Sequence, residues 1–171
     1  SRTVRYHDEM PERTAVLRSA AVASLTEMLS EVGDIRARQK VAMEVQHARA
    51  LCASIPDANS ARLAAWVVGH DSERGLYAAA MELEERVLET RRRVLGEEHP
   101  ETLMCMVELG TLRGVQGDLG GARALLERAL EAQRGLLGEE HPHTLMSMNH
   151  LAQSLLAQRD PAGARVIQDR V

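Results

Sequence analysis

Gly96-Glu97-Glu98-His99-Pro100-Glu101-Thr102-Leu103-Met104 returns 42 residues later as Gly138-Glu139-Glu140-His141-Pro142-His143-Thr144-Leu145-Met146. The match runs on in both directions at the same offset. Met106 pairs with Met148, and Leu83, Glu85, Arg86, Leu88, Glu89, Arg92 and Leu95 pair with Leu125, Glu127, Arg128, Leu130, Glu131, Arg134 and Leu137. Ala80, Ala122 and Ala164 stand at this step, as do Gly33, Gly75 and Gly117. Internal repetition at a fixed period signals units that cannot bury their own apolar faces and therefore stack.

Each unit reads as two helices. Pro100 and Pro142 suit a first helical turn, where the missing N–H costs nothing and φ is already set. His99 and His141 then fall at the N-cap, and Glu101 complements the positive end of the helix dipole. Leu103, Met106, Leu109 and Gly110 follow as a helical stripe, which Gly117-Asp118 ends. A second helix is expected from about Leu119 to Leu137, facing inward through Ala122, Leu125, Leu126, Ala129 and Leu130. Gly138 closes it as a residue free to adopt positive φ.

A helix-turn-helix unit with small residues at Gly110, Gly117, Ala122 and Ala129 resembles a tetratricopeptide repeat. Its 42-residue period and Leu-Gly-Glu-Glu-His-Pro-x-Thr-Leu linker are similar to the kinesin light chain variety. That variety also occurs in bacterial and fungal signalling proteins of the NB-ARC type. The resemblance implies an all-α fold, an α-solenoid of stacked antiparallel helix pairs. Its repeats would occupy 57–98, 99–140 and 141–171, the last truncated part-way along its second helix. Asp71 and Arg113 depart from the family at a first-helix position that is commonly aromatic or apolar. Gln168 is polar where Leu126 is apolar one unit earlier.

Residues 1–56 read as a helical connector or a degenerate helix hairpin. Glu12 to Leu29 is amphipathic through Val16, Ala20, Leu25, Met28 and Leu29, and Ile35 to Ile55 through Val41, Val45, Ala48, Leu51, Cys52 and Ile55. Gln46-His47-Ala48 partly matches a Pro-His-Ala triplet of the connector in NB-ARC chains. The segment Arg5 to Arg13 reads as the tail of an upstream domain, so the chain is expected to be a piece of a longer protein.

Composition agrees with helices. The 171 residues are 44 % apolar and 27 % charged, with aromatics at 2 % and no Phe, so Ala, Leu, Met and Val must fill the interior. A net charge of −4 leaves no basic footprint for nucleic acid. The longest apolar run, Leu63 to Val68, is too short to span a bilayer, and the polar first residues suggest no signal peptide. Cys52 and Cys105 form neither a disulfide framework nor a metal-type pair. These features point to a cytoplasmic chain.

No phosphate-binding loop or nucleophile elbow is present, so the expectation is a non-enzymatic chain with no catalytic residues, cofactor or metal site. The Glu-Glu-His linkers lack the spacing that aims two ligands from one helix face, and capping explains them. His143 and His150 share a face, but the sequence supplies no third ligand. The run Arg91-Arg92-Arg93 reads as a solvated outer face balanced by Glu84, Glu85 and Glu89. Met106 and Met148 read as core, while Met104 and Met146 are placed to reach the inner surface, with gap-filling the favoured role and adaptable partner contact the alternative.

Tetratricopeptide arrays line their concave groove with first-helix residues. Carried over, the pattern gives Arg62, Ala65 and Gly69, then Met104, Val107 and Thr111, then Met146, Asn149 and Gln153. An Asn amide at such a position can pair with both groups of an extended peptide backbone. The expected function is a protein–protein interaction module, a scaffold or sensor region of a larger signalling protein, with a partner peptide or helix in its groove. The alternatives are self-assembly through the truncated third repeat and, more remotely, a metal-dependent enzyme fragment.

Overall fold

A computed structural model of the chain describes residues 2–30, 42–53, 55 and 57–168. Among these there are eight α-helices and no strand: α1 (Arg2–Ser30), α2 (Ala42–Leu51), α3 (Ala58–Glu73), α4 (Tyr77–Leu95), α5 (Pro100–Val115), α6 (Leu119–Leu137), α7 (Pro142–Ala157) and α8 (Pro161–Gln168). Gly33, Ile35 and Val41 lie outside the described residues, as do the Gln168 side chain and residues 169–171.

The helices pack as α3 with α4, α5 with α6, and α7 with α8, and each pair leans on the next through α4–α5 and α6–α7. This is an all-α solenoid. The caps follow the repeated linker. His99 and His141 each accept a hydrogen bond from the backbone N–H two residues on, at 3.2 Å, with Pro100 and Pro142 opening the helices. Thr102 donates its hydroxyl to the Gly96 carbonyl at 2.8 Å, tying the first of the two linkers to the helix it introduces. Gly96 and Gly138, at φ of +96° and +89°, end α4 and α6. α3 has its own start signal, a reciprocal cap between Asp57 and Ser60. The amide of Ser60 donates to the Asp57 carboxylate and holds its pKa below the usual range.

The core runs continuously along the stack, with Leu63, Val67, Leu103, Met106, Leu126, Leu130 and Met148 essentially fully buried. Each such side chain contributes about 1.5–3 kcal/mol of apolar burial. Asp71, the family departure in α3, is buried, and it pairs with Arg49 of α2 and the His70 ring, so a charge contact takes the place of an apolar one. Arg113 reaches Glu85 on α4 at 2.8 Å.

Besides the helix read as far as Ile55, which ends at Leu51 where the chain turns toward α3, two expectations need correction. α1 begins well before Glu12 and turns Val22, Leu25 and Leu29 toward the core, leaving Val16 and Met28 at 69 % and 37 % exposure and Ala20 in solvent. Apolar residues lie on most of its circumference, so periodicity alone does not select the packed face. The second concerns Arg91 and Glu84, expected in solvent on α4. Both are buried, because α5 packs over the face that carries them.

Candidate functional site

The first helices α3, α5 and α7 present matching positions of successive repeats to one side, and an open cleft of about 350 Å³ lies across them. Ala65, Val68, Tyr77, Met104, Val107, Leu112, Val115 and Met146 make it largely apolar, with Ser72, Glu108, Thr111 and His150 as its polar points. This size and make-up fit a site for a side chain or short segment. A second cleft of about 220 Å³ shares Thr111, Val115 and His150 with it and continues along Gly110, Leu119, Leu126 and Gln153. The two therefore form one groove.

The structure brings together Ala65, Gly69, Met104, Val107, Thr111 and Met146 in the main cleft, and Gln153 in its extension. Arg62 and Asn149 are exposed and line neither. Val107 is only 1 % exposed, so it shapes the floor more than it offers contact area. Groove residues that the repeat pattern did not supply include Val68, Ser72, Tyr77, Glu108 and Val115. Several of these lie one helical turn from a predicted position, which was a usable signal.

His150 bridges the groove walls. Its Nδ1 lies 3.3 Å from the Thr111 hydroxyl, and burial lowers its pKa, favouring a neutral ring. His143 instead packs edge-on against His141 at the start of α7. The histidines therefore make separate contacts with Thr111 and at the helix cap.

Behind the groove wall lies a polar cluster. Glu84 of α4 and Cys105 and Glu108 of α5 place one donor atom each within 4.8 Å of one another. Arg91 Nη1 donates to the Cys105 sulfur at 2.8 Å and to the Glu101 carbonyl at 3.1 Å. Burial, reinforced by the facing Glu108, pushes the Glu84 carboxyl up to about 8, and burial likewise raises the Cys105 thiol. Cys52 lies apart, a buried thiol raised to about 11.

Tetratricopeptide-repeat family models match residues 71–101 and 111–170. The chain carries tetratricopeptide repeats. A search of curated proteins gives no match. Among solved structures, nearly identical TPR-like repeats assigned to a kinesin light chain of Podosopora anserina superpose with a TM-score of 0.73 at 23 % identity, covering 90 % of this chain and 74 % of that one. A point variant of the same protein gives 0.74 at 23 % identity, over 90 % and 73 %. BtubC (BKLC) from P. vanneervenii gives 0.69 at 17 % identity, over 99 % and 68 %. These likenesses establish the fold.

Proposed function

We propose that this chain is a non-enzymatic protein-interaction module, a scaffold or sensor region of a larger cytoplasmic signalling protein of the NB-ARC kind. Its groove takes a peptide or helix of a partner protein. The observation that carries the reading is the continuous cleft across α3, α5 and α7, largely apolar with a few polar points. Met104 and Met146 supply adaptable apolar contact, as methionine does at surfaces that receive varied partners. Thr111 and Gln153 supply hydrogen bonds, and Arg62 and Asn149 extend the recognition surface on the exposed sides of the same helices. Other exposed large apolar side chains include Val16, Leu76 and Val166, and Val94 and Leu136 at matching positions of α4 and α6.

A peptide selected from a random library against the whole chain provides the probe. Isothermal titration of that peptide is expected to lose at least tenfold in affinity with Met104→Glu or Met146→Glu, about 1.4 kcal/mol or more. Arg128→Ala, at a site 61 % exposed on α6, is expected to leave it unchanged. Undiminished affinity in both methionine variants, with helicity intact by circular dichroism, overturns the groove assignment.

A further inference from the structure

We propose that Glu84, Cys105 and Glu108 form a site for a divalent cation of the zinc type at the wall of the groove. The repeat makes the choice of residues unusual. At the 42-residue step, Glu84 stands where the next unit has Leu126, which fills the equivalent core position with no charge at all. Glu84 is fully buried, and its carboxylate oxygens make no hydrogen bond of ordinary length; only the Cys105 thiol and the Glu108 carboxyl, members of the same cluster, stand near enough to interact with them. An isolated buried carboxylate costs several kcal/mol, so a charge partner or a proton must offset it.

Arg91 supplies only part of that compensation. Its guanidinium faces two carboxylates and a thiol, and it is shared with Glu101 at 3.4 Å. With Glu84, Glu108 and a Cys105 thiolate all ionised, one guanidinium and one divalent cation balance these three charges, and the half-exposed Glu101 is left to solvent. Carboxylate oxygen and thiolate sulfur are donors that zinc accepts together. A tetrahedral ion with bonds of about 2.0–2.3 Å spaces its ligands about 3.3–3.8 Å apart, so side-chain movement of roughly an ångström closes the set from its present separation. The Arg91 hydrogen bond to the Cys105 sulfur holds the thiolate from behind, the part outer partners play at metal sites. Glu108 also lines the cleft, which leaves the fourth position on the groove side for water or a group of the bound partner.

Binding releases the Cys105 proton and any proton on Glu84 to solvent while the metal takes their place, so affinity rises with pH. Cobalt(II) is the probe, because a thiolate bound to it gives a sulfur-to-metal charge-transfer absorption in the near ultraviolet that histidine and carboxylate sites do not. Under a non-thiol reductant, the full chain is expected to take up one cobalt with this absorption, and zinc should displace it. Cys105→Ser should abolish the absorption and Cys52→Ser retain it. Glu108→Gln, on the cleft wall and least able to disturb the core, should weaken binding at least tenfold. Saturating cobalt without the thiolate absorption overturns the site, even where cobalt binds to histidines. So does absorption that survives in Cys105→Ser, or cobalt affinity that Glu108→Gln leaves unchanged.

Discussion

Arg159 has a backbone φ of +61°, the position that Gly75 and Gly117 fill at +75° and +89° in the two preceding turns. Left-handed backbone costs a residue with a Cβ about 1–2 kcal/mol, and glycine gives part of that back through the freedom it loses on folding. Arg159→Gly is therefore expected to stabilise the chain by about 0.5–1 kcal/mol, or a rise of about 2 °C in Tm. Thermal denaturation followed by circular dichroism checks this, and a lowered Tm would show that the arginine side chain contributes more than its backbone costs. Glu84 departs from the repeat in the same sense. There the residue that breaks the pattern is fully buried beside a thiol and a second carboxylate, and that setting is what gives it chemistry.

Helix packing sets the groove, and α5 and α6 approach each other closely at Gly110. A Cβ there would stand 3.0 Å from Leu126 Cγ and 3.2 Å from the Ala122 carbonyl oxygen, so α5 and α6 meet almost backbone to backbone. Gly110→Val should force them apart and destabilise the chain by about 1–3 kcal/mol, measured by urea unfolding. An unchanged midpoint would mean that the crossing is looser than these distances imply. At this scale the sequence was most informative where it repeats. The linker prolines, histidine caps and closing glycines marked the boundaries of α5, α6 and α7, because caps depend on residues within one turn of the chain. α1 was less legible, since Val16, Leu17, Val22, Leu25, Met28 and Leu29 offer several apolar faces, and contact with α2 and α3 selects one. The Glu84–Cys105–Glu108 cluster was hidden for a related reason. A glutamate followed seven residues later by an arginine reads as a solvated helix face until α5 covers it. Cys105 and Glu108, three residues apart on one helix face, were the signal that sequence alone offered.

Across the whole molecule, each helix pair touches its neighbours in sequence, so the array is close to one-dimensional and its groove is continuous only because the pairs stack in register. The contact of α5 with α7 and the Thr111–His150 approach join first helices of successive repeats directly. A partner that spans both clefts would thus read two repeats at once, with Met104 and Met146 as equivalent anchors 42 residues apart. The methionines make this directly visible. Met104 and Met146 line the groove, Met106 and Met148 are fully buried outside its lining, and Met28 is exposed on α1. The decisive measurement is a titration of the chain, labelled with carbon-13 in its methionine methyl groups, with the library-selected peptide, followed by nuclear magnetic resonance. The groove account predicts that the Met104 and Met146 methyl signals move progressively to saturation while Met28 stays in place. Saturation with Met104 and Met146 unmoved, and shifts confined to Met28 or other methionines away from the cleft, would contradict it.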